Sequence, residues 1–401
     1  MNIVNIPSEV RKLKRMIVHR PGEELNNLVP NFLEMQLFDD TPYLSVAQRE
    51  HDEYVRILQG LGIDVLYIRD LIAESVSTQS LKDELVERFV EEANIYGDNK
   101  KQAIKEYLLS LENKKMVDVM ISGLRKSDLK FERKHLSDFM TDEYPFILDP
   151  MPNMYFTRDP FSFVGKGVII SKMFKRARSR ETLFGAFVME HHSLFKDVPI
   201  YYNRNDSFSI EGGDIMMLKE DTLAIGVSQR TNVNAVEEVA KRLLFDEESG
   251  FKKILAIEVP KTRSYMHLDT VFTMVDYGKF TIHPSIENEM KIYAIEKKEG
   301  KLSVNVENLP FKEALKKQLE LDKITLINCG GNSYVDSARE QWNDGANTLA
   351  VAPNEIIVYT RNVCTNKLLV DNGIKIHEIP CSELSRGRGG PHCMSMAVTR
   401  I

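Results

Sequence analysis

The chain has 401 residues, 43% hydrophobic and 28% charged, with a formal net charge of −6. That balance excludes disorder, which needs low hydrophobicity with high net charge, and argues against nucleic acid and anionic membrane as partners. No apolar run of about 18 residues is present, so no membrane span is expected, and four cysteines without a Cys-x-x-Cys spacing point to a reduced, cytoplasmic protein.

In chain order, the segment Met1 to Pro7 lacks the basic and apolar stretches of a secretory signal. A strand is read over 14–19 and a helix over 45–61, the latter from Val46, Tyr54, Ile57, Leu58 and Leu61. Residues 43–144 then contain no proline, and 27 of the 75 residues in 71–145 are charged. Apolar positions there keep the helical period: Leu81, Leu85, Phe89 and Ala93, then Ile104, Leu108 and Leu111, then Val117, Met120, Ile121 and Leu124. Gly97 and Gly123 break these runs, and Asp98 is the expected N-cap of the second helix. The stretch 71–145 is read as an inserted all-helical domain, with 1–70 and 146–401 forming the remaining α/β domain.

Beyond 145 short β-rich runs alternate with turns. Asp159, Asp214 and Asp269 stand 55 residues apart, each followed by a run, a turn and a second run. Asn347 heads an arguable fourth copy, and helices are expected over 179–195 and 232–244. Such a strand-strand-helix-strand unit cannot bury its own apolar face, so units must stack or close into a ring that gathers the acids at a common centre. The last strand, from Met394, is suited to pair with the strand over 14–19.

Four segments concentrate reactive groups: Pro152 to Pro160, Ile210-Glu211-Gly212-Gly213-Asp214, Met266-His267-Leu268-Asp269-Thr270, and Ser385 to Met396. Cys393 follows a glycine-rich turn and precedes an apolar strand, a junction that can present a nucleophile; neighbouring cations or a histidine favour the thiolate. A buried structural cysteine is the ordinary alternative, and the default for Cys329, Cys364 and Cys381. If His267 and Asp269 lie on one strand, i and i+2 face one side and meet one pocket, and histidine is the natural acid/base near neutral pH; a satisfied core histidine is the rival reading. Gly212-Gly213 suits a close backbone approach. A divalent metal held by Glu211, Asp214, Asp269, Asp159 and His267 is a further alternative, as is an RNA-binding reading of Arg388-Gly389-Gly390.

In order and wording the four segments resemble the arginine deiminase family of the guanidine-modifying superfamily, over the whole chain from Ile17 to Cys393. The resemblance implies a pseudo-fivefold α/β propeller of ββαβ modules with an inserted helical domain. It also implies hydrolysis of free L-arginine to L-citrulline and ammonia, the first step of fermentative arginine catabolism, without metal or other cofactor, in a homodimer or higher homo-oligomer. By match to the family pattern, Cys393 is the nucleophile, His267 the acid/base and Glu211 its carboxylate partner. Asp159 and Asp269 grip the guanidinium. Asn153, Arg178, Arg230 and Arg388 hold the amino-acid end, with Gly387 beside them and Asp214 supporting the pocket. Arg176 and Arg180 compete with Arg178 for its role. An agmatine deiminase, an amidinotransferase and a non-catalytic arginine- or RNA-binding protein remain alternatives. The arginine cluster, suited to an α-carboxylate, speaks against the first; Cys393 together with His267 speaks against the last.

Overall fold

The structure, a computed structural model, describes residues 3–140 and 143–401. Met1 and Asn2, part of the segment read for a signal, and Thr141 and Asp142, inside the expected insert, lie outside the described residues.

Five sheets share one arrangement: an antiparallel strand pair with a third strand parallel to its second. In the first module Met396–Arg400 pairs antiparallel with Leu13–Val18, which pairs parallel with Asp64–Tyr67. The chain's two ends thus meet in one sheet, as the pairing of the last and first strands requires. The second module holds Phe161–Val164, Gly167–Ile170 and Ile200–Tyr202, and the third Ile215–Lys219, Thr222–Val227 and Lys253–Glu258. The fourth holds Phe272–Asp276, Lys279–Ile282 and Thr325–Asn328, and the fifth Leu349–Ala352, Glu355–Tyr359 and Lys375–Ile379.

A parallel pair needs a crossover, supplied here by helices. Leu44–Gly60 serves the first module and buries Leu44, Ala47, His51, Tyr54 and Leu58, one helical face. Ser179–His191, Val233–Phe245 and Val363–Asp371 do the same for the second, third and fifth. Asn232 caps Val233–Phe245 by accepting from Asn234 N at 2.8 Å. In the fourth module the connection first throws out a hairpin, Lys291–Lys298 with Lys301–Val306, which extends the third module's sheet to five strands. That excursion helps explain why the interval of 55 residues ends at Asp269 and Asn347 follows 78 residues later.

The sheets are apolar on both faces. Ile215, Met217, Leu223 and Ile225 join one core cluster, and the alternating Met216, Leu218 and Ala224 join another with Phe272, Met274, Ile356 and Val358. A strand so enclosed reads as a continuous apolar run, as Ile215-Met216-Met217-Leu218 does. Truncating a fully buried member such as Phe272 to Ala costs about 3–5 kcal/mol.

The segment 71–145 departs from the all-helical expectation. Helices Ile68–Ser75, Gln79–Glu92, Asp98–Ser110 and Asn113–Ser122 are present, but Leu124–Arg125 pairs antiparallel with Phe146–Leu148. The strand over Leu124 is too short to show a period against its helical surroundings. Asp98 opens its helix as the first residue, with Gly97 at the cap. Leu85, Phe89, Leu108 and Met120 belong to the same cluster as the first and second modules.

Candidate active site

Five turns that precede the first strands of the modules meet, each bonded to its neighbour in chain order. Arg158 N donates to Cys393 O at 3.1 Å and Gly212 N to Asp159 O at 3.1 Å. Leu268 N donates to Asp214 Oδ1 at 2.8 Å, and Asn347 Nδ2 to Asp269 O at 3.0 Å. Cys393 N returns the circuit to Asn347 Oδ1 at 3.0 Å. The recurring acids therefore share a centre with the cysteine.

Glycines permit this closeness. A Cβ on Gly212 would lie 1.9 Å from Arg158 O, and one on Gly213 2.7 Å from His267 Cγ. His267 and Asp269 do not ride a strand: His267 caps a 3-10 turn, Leu268–Thr270, that contains Asp269. Both still turn inward, because Asp214 accepts from Leu268 N and clamps that turn. Asp214 also accepts from Ser228 Oγ at 2.7 Å, and burial pushes its carboxyl up to about 7.

Cys393 is buried. Its thiol donates to Asp269 Oδ2 at 3.5 Å, and Asn347 Nδ2 donates to its sulfur at 3.2 Å. Burial, and then the carboxylates of Asp269, Asp159 and Asp344, push the thiol well above its ordinary range. Asp269 Oδ2 also takes a hydrogen bond from His392 Nδ1 at 2.8 Å. Asp159 Oδ2 is bonded to Arg178. Two oxygens, Asp159 Oδ1 and Asp269 Oδ1, are buried with no hydrogen-bond partner among the described residues. Buried carboxylate oxygens left so are costly, and a cation with N–H donors is what satisfies them.

His267 Nε2 lies 2.8 Å from Glu211 Oε2, and Nδ1 3.8 Å from Asp159 Oδ1. Burial opposes charge on the ring, but Asp159, Glu211 and Asp214 outweigh it and raise His267 to about 9. Glu211 falls to about 2: burial opposes this too, and His267, Arg230 and Arg178 prevail. The pair rests as imidazolium and carboxylate.

A cleft of about 190 Å³, room for one small molecule, is lined by Cys393, His267, Asp159, Asn153, Arg178, Arg230, Gly387 and Arg388 among others. Glu211, Asp214 and Asp269 are not in this lining, but Glu211 is bonded to His267 and Asp269 to Cys393, which are. Of the three candidate arginines Arg178 alone lines the cleft; Arg176 is exposed, and Arg180 donates to Asp149 O at 2.9 Å. Arg178 is held by Asp159 and, through Nε and Nη2, by Glu181. Arg388 lies with its guanidinium 3.4 Å from the centre of the Trp342 ring and 3.7 Å from Asp39.

Glu211, Asp214, Asp269, Asp159 and His267 lie around one centre, but they are not a group whose ligand atoms all converge. Among the described residues the group whose ligand atoms converge is Glu84, Glu190 and His191, none of which lines the cleft. Sequence reading gave no site role to Asn347, His392, Glu181 or Trp342. Asn347 carried a signal as head of the fourth repeat copy and His392 as a member of the fourth reactive segment; Glu181 and Trp342 carried none.

The family model described as "Arginine deiminase" matches residues 34–400. The chain belongs to the arginine deiminase family. It is 48% identical to the arginine deiminase of Clostridium perfringens over 99% of this chain and 98% of that one, and 47% identical to that of Listeria monocytogenes over the same shares. The fold is a mixed α/β one, similar to DDAH from Pseudomonas aeruginosa complexed with citrulline (TM-score 0.54, 15% identity, 96% of this chain and 99% of that one). It is similar also to the product-bound N-terminal domain of ArgZ, a cyanobacterial arginine dihydrolase (TM-score 0.54, 13% identity, 96% and 97%). Among the described residues no helix is long and apolar enough to cross a membrane.

Proposed function

We propose that this member of the family hydrolyses free L-arginine to L-citrulline and ammonia, with Cys393 as nucleophile. The observation that carries this reading is the pair of unsatisfied oxygens, Asp159 Oδ1 and Asp269 Oδ1, beside a cysteine and a charged histidine. A guanidinium presents a planar fork of N–H donors and stays protonated at physiological pH. Two carboxylates fix it in line with the sulfur, which must approach its carbon to about 3–3.5 Å.

The thiol first loses its proton to solvent as the substrate cation enters and offsets the field of Asp159 and Asp269. The thiolate attacks the guanidinium carbon and gives a neutral tetrahedral adduct. His267, an imidazolium held by Glu211, protonates the departing nitrogen, and ammonia leaves behind a thiouronium on Cys393. Neutral His267 then takes a proton from water as that water attacks the same carbon. Collapse breaks the C–S bond, moves the hydroxyl proton to sulfur and releases citrulline. The steps call on no metal or organic cofactor.

Asn153, Arg178, Arg230, Arg388 and Gly387 serve the amino-acid end. Four cations in the cleft wall, Lys175, Arg178, Arg230 and Arg388, suit an α-carboxylate. Most N–H groups of Arg178 are committed to Asp159, Glu181 and the Asn153 carbonyl, so it also orients Asp159. We take the five modules as a closed pseudo-fivefold propeller, supported by the hydrogen-bond circuit from Cys393 through Asp159, Asp214, Asp269 and Asn347. We take 71–145 as its insert, and the molecule as a cytoplasmic homo-oligomer.

Ammonia release measured with free arginine, agmatine and a blocked arginine peptide tests the reading. Turnover of free arginine with little of the other two is expected. Preference for agmatine would replace the substrate, and no release from any would remove the activity.

A further inference from the structure

We propose that Asn347 is a further catalytic residue, its side-chain amide holding the Cys393 sulfur and stabilising it as the attacking thiolate. The inference rests on Cys393 being the nucleophile.

Three contacts fix the amide's orientation. Oδ1 accepts from Cys393 N at 3.0 Å. Nδ2 donates to Asp269 O at 3.0 Å and to Cys393 Sγ at 3.2 Å. The reverse orientation would set the NH₂ group against an N–H and the oxygen against a carbonyl. Both amide hydrogens are therefore spent, one on the backbone and one on the sulfur, at a fully buried position.

The charges around the sulfur give that donor its value. Asp269 Oδ2 faces it at 3.5 Å, with Asp159 and Asp344 behind. The nearby cationic and imidazole groups serve other partners: His267 is bonded to Glu211, His392 to Asp269, Arg178 to Asp159 and Glu181, and Arg388 lies over Trp342. Among these side chains Asn347 directs a polar hydrogen at the sulfur. Burial and the carboxylates disfavour the thiolate, and a donor on the sulfur works against both. During attack the sulfur lone pair becomes the C–S bond, and on collapse it returns to the same donor; the amide proton is not transferred.

The repeat supplies an independent argument. Where Asn347 stands in the fifth module, the second, third and fourth carry Asp159, Asp214 and Asp269. An aspartate at 347 would set a carboxylate oxygen against both the sulfur and the Asp269 carbonyl. Asparagine keeps the shape and removes the charge.

Asn347→Asp preserves size and tests the proposal. Iodoacetamide alkylation across a pH series, read by mass spectrometry of the peptide bearing Cys393, reports the thiolate without turnover. Failure of the nucleophile assignment is read separately, by citrulline formation in Cys393→Ser. We expect Asn347→Asp to shift the alkylation profile to higher pH, to slow alkylation at neutral pH by about tenfold or more, and to lower kcat. Arginine binding, measured by calorimetry in the Cys393→Ser background, is expected to be no weaker. If Asn347→Asp does not fold, Asn347→Ser removes the amide without adding an acid, and a smaller shift in the same direction is expected. An unchanged alkylation profile in the folded variant overturns the proposal. So does lost arginine binding with the profile intact, since Asn347 would then hold substrate.

Discussion

Asp269 Oδ2 takes a hydrogen bond from the Cys393 thiol at 3.5 Å, while Asp269 Oδ1 has no hydrogen-bond partner among the described residues. One carboxylate thus touches the cysteine sulfur and has a second oxygen which, in the proposed reaction, receives the substrate guanidinium. Cys393→Ser is expected to abolish citrulline formation, by on the order of 10⁴-fold or more, while arginine still binds. Near-normal turnover by that variant would remove the assignment. Cys329, Cys364 and Cys381 do not line the cleft, and their replacement by Ser is expected to leave turnover largely intact.

Arg388 occupies the left-handed region, with φ +64°, lines the cleft and lies over Trp342. If it swings onto the substrate carboxylate, Arg388→Ala removes one charge-assisted contact of about 1.5–3 kcal/mol. The expected loss in kcat/KM for arginine is about 10–100-fold, with a much smaller loss for agmatine. Equal losses on both would mean that Arg388 does not read the carboxylate. Because glycine tolerates that φ without strain, Arg388→Gly is expected to melt no lower than Arg388→Ala.

The His267–Glu211 pair has a pH signature in stability. His267 is raised from 6.5 to about 9 in the folded state. The folded state therefore holds its proton more tightly, so the stabilisation is full below 6.5 and is lost as pH rises through about 9. The difference in Tm between the parent and His267→Gln should be largest at mildly acidic pH and shrink across that window. A difference that grows with pH would contradict a charged resting histidine.

Activity is expected to survive exhaustive chelation. The acids around Cys393 are engaged by His267, Arg178, Ser228 and His392, and the proposed chemistry uses a thiolate rather than a Lewis acid. Loss of citrulline formation on chelation, restored by Mg or Mn, would favour the metal reading.

Much of this was legible in the sequence because it is local. The run Ile215-Met216-Met217-Leu218 specifies a strand buried on both faces, and the constant interval from Asp159 to Asp214 to Asp269 specifies repeated modules. The four reactive segments carry the family resemblance residue by residue. Tertiary structure decided what depends on chain parts far apart. Leu124–Arg125 is a strand only because Phe146–Leu148 lies beside it. Asp98 lost the cap because Gly97, at φ +102°, makes the turn. His267 and Asp269 meet through a 3-10 turn that Asp214 holds, a contact no strand periodicity encodes. Arg178 was separated from Arg176 and Arg180 only by the direction in which its turn faces. Asn347 looked like a fourth repeat marker; its amide gained chemical meaning when the fold brought a sulfur 46 residues away to 3.2 Å. Sequence fixes which groups exist and the periods that fold them, whereas the reactivity of a buried thiol depends on charges and donors that only packing assembles.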